Sequence, residues 1–440
     1  MKFIDLFSGV GGFRSALEEL GHECIAYSEI DKFAIKSYKA IYDTDGEIEL
    51  GNISEISDEY ISKLQGEVDL VVGGSPCQSF SVAGNRGGFE DTRGTLFFDY
   101  ARTVSDIKPK YFIYENVKGM ISHDKSNTIK TVLNTFNELG YYIDFNIFNS
   151  KYYGVPQNRE RIYIVGKRKD LVPSPKFHEK KKRKVKVDEI YNWAVEHIEF
   201  IELLPELKSN VDTRLIDVIE DEVDEKYYLD EEKTKRLLER IKNREVKNNY
   251  SKQVADYRYD EGLRIREEGI SPCLTANLKS MGTDNKDLSN AVYVIGSTQK
   301  NAFIGNGDYS PALTSAMGTG GGHVPMVVGE SNFGHEEPKI TVVENTSNTG
   351  HRSQDVHDVN GIIPTIAARD YKGPKQVMTE DVRIRKLTPL ECWRLQGFSD
   401  EQFDKAQQAG LSNSQLYKQA GNAVTVNVVK YIVDYLLEED

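Results

Sequence analysis

Cysteine is scarce in this sequence. Four residues, Cys24, Cys77, Cys273 and Cys392, stand far apart in 440 and form no CxxC pair. That excludes a disulfide framework and offers no zinc-binding spacing, so no metal is expected. Long apolar runs are missing too, and none approaches the roughly 20 residues needed to cross a bilayer. The opening MKFIDLFSGVGG lacks the long apolar core and small-residue cleavage site of a signal peptide, and Asp5 interrupts it. It reads as the first buried strand of a cytoplasmic protein. A surplus of positive charge is also absent: 56 Lys and Arg against 69 Asp and Glu leave a net charge of -13. Such a balance constrains solubility and non-specific binding more than it constrains a local site. What remains is ordinary for a folded chain, with 39% hydrophobic and 28% charged residues and enough length for two domains.

Residues 1 to about 170 alternate apolar runs with helical patterns. Strands are expected at 2–7, 24–28, 68–73, 111–115 and 162–165, and a helix at 12–20. Alternating strands and helices predict a parallel α/β sheet with helices on both faces. The pattern changes at Pro173–Pro175, and a basic run at 180–186 follows, read as a solvated linker or phosphate contact. An acidic stretch at 220–225 and an amphipathic helix around 231–241 come next. From about 270 to 375 the chain is rich in Gly, Ser, Thr and Asn. Three pieces there look alike, beginning at Ser271, Ser310 and Ile363, at spacings of about 39 and about 53 residues, too uneven for a solenoid. They read as strand-and-loop units, or as chance recurrence of Pro-Thr turns. Helical pattern returns near 380, with Thr388 at an N-cap and Pro389 at the first helical position. An apolar helix at 424–437 should pack back on the first domain. The expected division is therefore 1–174, an insertion at 175–378, and 379–440.

The segment 5–12 follows a strand and opens a helix. Its glycines allow a sharp bend and close approach of a ligand, and helix amides point at polar groups. Glu29, at the end of the next strand, can accept hydrogen bonds from both hydroxyls of a ribose. These features suit any nucleoside-containing cofactor. Gly51-Asn52-Ile53, after a third strand, is either an adenine contact or an ordinary turn. Cys77, in Gly73-Gly74-Ser75-Pro76-Cys77-Gln78, falls just past a parallel strand, where loop residues face a ligand crevice. It is either a buried small hydrophobe or a nucleophile, and the fixed turn favours the nucleophile, which must act as thiolate. The polar, glycine-rich loop 79–93 looks like a lid. Glu115 ends an apolar strand, where a half-shielded carboxyl can hold a proton near neutrality, although a surface capping role is the plainer alternative. Arg159 and Arg161 share one face by alternation and can hold a carbonyl or phosphate, or make structural salt bridges.

Seven segments in this order resemble the cytosine-5 DNA methyltransferase family: DLFSGVGG (5–12), GGSPCQSFS (73–81), RGTLFFDYAR (93–102), ENV (115–117), QNRERIYIVG (157–166), RKLTPLECWRLQGF (385–398) and YKQAGNAV (417–424). The resemblance covers both ends of the chain. It implies a Rossmann-like α/β methyltransferase domain with a mostly non-helical inserted target-recognition domain. It implies that S-adenosylmethionine is the cofactor and S-adenosylhomocysteine the product. It further implies that Cys77 attacks C6 of cytosine, that Glu115 contacts N3 and the amino group, and that Arg161, grouped with Arg159, binds the base near its carbonyl. Phe7, Gly9, Gly11, Gly12, Glu29, Asn52, Ile53, Pro76, Leu96, Asn422 and Ala423 would line the cofactor site. Gln78, Ser79, Ser81, Arg86 and Arg93 would meet DNA from the loop over 78–95. Adding a thiolate at C6 makes C5 nucleophilic, and the base must leave the stack for C6 to be reached.

By the same resemblance the partner is double-stranded DNA, with no membrane, and the expected state is a monomer. A cognate restriction endonuclease would act independently. The expected setting is cytoplasmic and nucleoid-associated, in a prokaryotic or phage-encoded enzyme. The sequence departs from the family at Asn52, where relatives often carry Asp, and at Val82-Ala83-Gly84, where many place Ser before Gly. Three other readings compete. A tRNA substrate suits a related branch that lacks so large an insertion. A catalytically silent DNA-binding repressor leaves the intact Cys77, Glu115 and Arg161 unexplained. A nicotinamide dehydrogenase leaves the PCQ and ENV segments unexplained.

Overall fold

The computed structural model of the chain describes residues 1–76, 96–183, 185–228, 361–372, 374–378 and 384–438, with short stretches at 254–258, 262–266, 296–297, 302–303, 340, 342–345 and 355–358. Seven strands form the central sheet: β1 (Lys2–Leu6), β2 (Glu23–Ser28), β3 (Ile48–Glu49), β4 (Leu70–Gly73), β5 (Tyr111–Val117), β6 (Tyr141–Asn149) and β8 (Glu160–Arg168). A short strand β7 (Gln157–Asn158) precedes β8 and pairs in parallel with Ile363–Pro364 outside this sheet. The order is β3-β2-β1-β4-β5-β8-β6. The first five run parallel, as the alternating pattern predicts, but β8 is antiparallel to both β5 and β6. The sheet is therefore mixed rather than all parallel. The reason is that a short connection, not a helix, joins β6 to β8, and a short connection returns antiparallel.

Strand alternation divides the core in two. Phe3, Leu70, Val72, Ile113 and Tyr163 face one layer, with helices α1 (Gly12–Glu19), α2 (Lys32–Ile41) and α10 (Val426–Glu438) against them. Ile4, Leu6, Val71, Phe112, Tyr114 and Ile164 face the other, covered by α3 (Asp58–Ser62), α4 (Leu96–Ile107), α5 (Asn127–Glu138) and α6 (Lys186–His197). Both faces being covered explains why these strands read as continuous apolar runs.

The C-terminal helices are α7 (Pro389–Arg394), α8 (Asp400–Gln408) and α9 (Asn413–Asn422), followed by α10. Thr388 does cap α7: its side chain accepts from Glu391 N–H, and Glu391 reaches back to the Thr388 N–H at 2.7 Å. Such a reciprocal box satisfies two otherwise orphaned donors. Glu391 also forms a fully buried ion pair with Arg385 at 2.6 Å. The basic run stays largely exposed, as expected of a solvated segment, and it pairs with nearby acids. Lys180 pairs with Glu196, Arg183 with Asp188 and Lys186 with Glu189, and Lys186 opens α6.

The chain divides into two compact units, one of residues 1–229, 337–342 and 357–440, the other of 230–336 and 343–356. Residues 175–229, which the sequence assigns to the insertion, belong to the first unit, where 198–203 run along the edge strand β6 and Leu203 and Leu204 donate to the carboxylate of Asp144. The second unit carries antiparallel pairs Val254–Arg258 with Gly262–Arg266 and Gly296–Ser297 with Ala302–Phe303. The expected helix at 231–241 and the repeated pieces at Ser271 and Ser310 lie outside the described residues. The third piece, at Ile363, is in the first unit. No helix among the described residues is long and apolar enough to cross a membrane.

Candidate active site

The C-terminal ends of β1 to β5 and the N-terminal end of the antiparallel β8 share one edge of the sheet, because Val117 lies opposite Arg161. Every described residue expected at the site comes from this edge or from the C-terminal segment packed beside it. In a sheet of this kind, ligands enter at the carboxyl edge where strand order reverses, here between β1 and β4.

At the end of β1 the backbone turns through three left-handed residues, Phe7 (φ 55), Gly9 (φ 56) and Gly11 (φ 84). Phe7 is the unusual member, since a side chain in that region costs about 1–3 kcal/mol and persists only where the surroundings impose it. Ser8 N–H donates to Ser28 O and Gly11 N–H to Ser8 O, which folds the turn over the end of β2. Glu29 then ties the two strand ends together. Its Oε2 accepts from Gly9 N–H at 2.8 Å, and its Oε1 accepts from Ile30 and Asp31 N–H. A carboxylate has about four acceptor positions, so these three bonds leave capacity for a ligand hydroxyl. Asn52 caps the 3₁₀ turn Ile53–Glu55: its Oδ1 accepts from Ser54 N–H and its Nδ2 donates to Glu55. A Cβ built on Gly9 or on Gly51 meets nothing within 4 Å among the described residues, which leave open space over both backbones.

The C-terminal segment closes this end. A Cβ on Gly12 would stand 2.5 Å from Val424 O, so the glycine turn and the segment after α9 touch backbone to backbone. Asn422 is exposed at the end of α9, and Ala423, buried, follows it. Leu96 opens α4, and Pro76 is exposed at the end of the β4 turn.

Glu115 is not at the end of its strand. It sits inside β5, opposite Tyr163, with only 9% of its surface exposed. Arg161 Nε lies 3.1 Å from its Oε1. Burial raises the carboxyl above its ordinary range, while Arg161 and then Arg159 pull it down. Gly74 lies against the same carboxylate: a Cβ there would be 2.7 Å from Oε2 and 3.0 Å from the Glu115 carbonyl oxygen. The turn after β4 and the acid of β5 therefore meet at van der Waals distance because residue 74 has no side chain.

Arg159 stands in the break between β7 and β8 and serves different partners from Arg161. Its guanidinium is buried and donates to the carbonyl oxygens of Ile366 (3.2 Å), Gly421 (3.4 Å) and Ala423 (2.7 Å), while Nε finds no acceptor among the described residues. Burial and the neighbouring Arg161 push it down to about 9. Gln157 adds to the same staple, accepting from Ile366 N–H and donating to Leu395 O. Sequence reading overlooked a further group. Ser75 Oγ, Tyr114 OH and Asn116 Nδ2 form a buried hydrogen-bonded cluster on the opposite face of β5 from Glu115. Alternation about Glu115 is the signal that could have exposed it.

Cys77, Gln78, Ser79, Ser81, Arg86 and Arg93 lie outside the described residues. Cys24 and Cys392 are free and buried. No cluster of three or more His, Cys, Asp or Glu that could hold a metal occurs among the described residues.

Comparison with known proteins shows the family of the chain. The C-5 cytosine-specific DNA methylase model matches residues 1–438. The chain is 38% identical over 455 residues to an orphan methyltransferase, M.SPRI, of Bacillus phage SPR, covering 99% of this chain and 97% of that one. It is 52% identical over 166 residues to the type II methyltransferase M.HpaII of Haemophilus parainfluenzae, covering 37% of this chain and 45% of that one. Among solved structures, a putative DNA modification methyltransferase encoded within an Escherichia coli prophage superposes with a TM-score of 0.55 at 18% identity, covering 100% and 99% of the two chains, which shows a shared fold. With its whole length matched, this chain belongs to the C-5 cytosine-specific DNA methylase family and is a DNA cytosine-5-methyltransferase.

Proposed function

We propose that the enzyme methylates C5 of a cytosine flipped out of a specific double-stranded DNA sequence, through a covalent bond between Cys77 and C6. The observation that carries this reading is the pair of buried Glu115 and half-buried Arg161, with the Glu115 carboxylate directly against Gly74, three residues before Cys77. A neutral carboxyl can donate to N3 of the base, and a guanidinium beside it can donate to the carbonyl. Both interactions draw electrons from the ring and open C6 to attack. The Cys77 thiolate adds to C6, C5 becomes nucleophilic and takes the methyl group, a base removes the C5 proton, and the C6–S bond breaks to restore the thiolate. Carbon 6 is closed off inside a duplex, and the cost of extruding the base is a few kcal/mol.

S-adenosylmethionine, when bound, supplies the methyl group and leaves as S-adenosylhomocysteine. The edge fits it: open space lies over Gly9 and Gly51, and Glu29 retains acceptor capacity for ribose hydroxyls. Phe7, Gly11, Gly12, Ile53, Pro76, Leu96, Asn422 and Ala423 surround that space in our reading. Asn52 faces it with its Oδ1 already accepting from Ser54 N–H. Arg159, expected to act on the base with Arg161, instead acts through others by holding the backbone at 366, 421 and 423. The unit of residues 230–336 and 343–356 is the compact part of the target-recognition region, and the loop over 78–95 contacts DNA. The enzyme works as a monomer in the cytoplasm, near the nucleoid, and a cognate endonuclease, where one exists, acts independently.

Capture on duplex DNA carrying 5-fluorocytosine tests the reading. With S-adenosylmethionine present, a complex that survives denaturation is expected, and Cys77→Ala should form none. Failure of the folded wild-type protein to be captured would remove Cys77 from the role of nucleophile.

A further inference from the structure

We propose that Tyr114 is a positioning residue for methyl transfer, its buried hydroxyl locking the Gly73–Pro76 turn from which the chain enters Cys77. The inference rests on the reading of Cys77 as nucleophile. Pairing of β4 with β5 ends at Gly73, opposite Tyr114, so residues 74–76 leave the sheet. Side chains hold them from there. Asn116 Nδ2 donates to the Ser75 carbonyl at 3.0 Å and to the Tyr114 hydroxyl at 3.0 Å. Its Oδ1 accepts from Val117 N–H at 2.9 Å, which fixes the amide orientation. The phenol oxygen that accepts from Asn116 also shares a hydrogen bond with Ser75 Oγ, 2.6 Å away. The ring closes through three buried residues: Ser75 is 4% exposed, Tyr114 0% and Asn116 3%. Edge-on contacts with Tyr100 at 5.0 Å and Phe97 at 5.7 Å hold the phenol in place.

The placement relative to Glu115 makes this clamp part of the reaction geometry. Successive strand residues point to opposite faces, so Tyr114 and Asn116 reach Ser75 from one face while Glu115 meets Arg161 on the other. Three consecutive residues of β5 thus set the spacing between the acid and the turn that leads to the nucleophile. Phenylalanine retains the ring and its packing but drops the hydroxyl, so it separates positioning from core filling.

The experiment compares wild type, Tyr114→Phe, Ser75→Ala and the double variant in the full chain, by single-turnover methyl transfer at saturating DNA and S-adenosylmethionine. Ser75→Ala removes one buried hydrogen bond of the clamp and Tyr114→Phe removes two, and each variant is expected to slow transfer about tenfold or more. The double variant should be no slower than the worse single one, because both remove the same contact. KM for both substrates should stay near wild type, the melting temperature should fall by roughly a few degrees because buried Ser75 and Asn116 each lose a partner, and the rate of 5-fluorocytosine capture should fall with the transfer rate. Should Tyr114→Phe fail to fold, Ser75→Ala, which leaves the phenol bonded to Asn116, carries the same test. Transfer at the wild-type rate in a folded Tyr114→Phe, a loss confined to KM, or losses that multiply in the double variant would each overturn the inference. If wild type itself is not captured, the Cys77 reading has failed. If wild type is captured and Tyr114→Phe is captured equally fast, only the clamp has failed.

Discussion

Arg161 Nε lies 3.1 Å from Glu115 Oε1, and the two residues sit diagonally across the antiparallel pair of β5 and β8. Their contact depends on β8 reversing the direction of the sheet, since a parallel strand would carry the arginine to the opposite edge. The buried acid is balanced by that one close cation and by Arg159 further off.

Removing the cation should therefore shift the acid. Burial already raises Glu115, and Arg161→Ala takes away the largest opposing influence, so its pKa should rise further. If the protonated carboxyl serves the base, transfer falls as pH rises through this pKa. In Arg161→Ala that falling limb should move to higher pH while the maximal rate drops about 10²-fold or more. Glu115→Gln should abolish the limb. Single-turnover pH profiles check both, and an unmoved limb in Arg161→Ala would separate the pair.

Gly74→Ala tests the close approach. The new Cβ would lie 2.7 Å from Glu115 Oε2 and 3.0 Å from its carbonyl oxygen. The carboxylate or the turn must move, and displacement of a reacting group by about 1 Å can cost roughly 10²-fold in rate. Expected is a folded protein that binds DNA and cofactor but transfers slowly, as measured by single-turnover kinetics and calorimetric binding.

Arg159→Ala should behave as a stability variant first. It leaves the carbonyls of Ile366, Gly421 and Ala423 without this donor. The loss should be about 2–4 kcal/mol, since buried acceptors left unpaired carry their desolvation cost. Denaturant unfolding measures it, and cofactor affinity should weaken with it because Ala423 adjoins Asn422. A variant as stable as wild type would return Arg159 to a direct catalytic role.

Asp5 gives a pH-dependent prediction for the fold. It is fully buried, and burial pushes it up to about 8 against the pull of Arg14 and a 3.3 Å hydrogen bond from the Tyr38 hydroxyl. The folded state then keeps a proton that the unfolded chain releases near pH 4. Stability from this group is complete below the unfolded value and is lost as pH rises to the folded one. Melting temperature should fall between pH 6 and 8, and Asp5→Asn should flatten that slope. Equal slopes in the two proteins would show that Asp5 is ionised at neutral pH.

Most of the sheet could be read from the sequence because β1, β4 and β5 are buried on both faces and stand out as apolar runs. The reversal at β8 could not, since Ile162–Val165 looks the same in either direction. The same ambiguity put Glu115 at a strand end, where it is two residues inside. Arg159 and Arg161 were grouped because alternation treats both as strand residues, whereas the break after Asn158 turns Arg159 toward segments more than 200 residues away in sequence. Alternation about Glu115 could have put Tyr114 on the opposite face, but its tie to Ser75 was not legible, because a buried tyrosine hydroxyl gains meaning only from the partner that the fold brings to it. Glu29 was placed correctly at the end of β2, but its three bonds to backbone amides are a property of the folded turn.

The central claim is tested most directly by mapping 5-methylcytosine at base resolution in DNA from a methylation-free bacterial host that expresses this protein, with Cys77→Ala as control. The account expects methylation confined to a short sequence context and absent with the variant. Unmethylated DNA in the presence of soluble, S-adenosylmethionine-binding wild-type protein, or methylation that persists in Cys77→Ala, would contradict it.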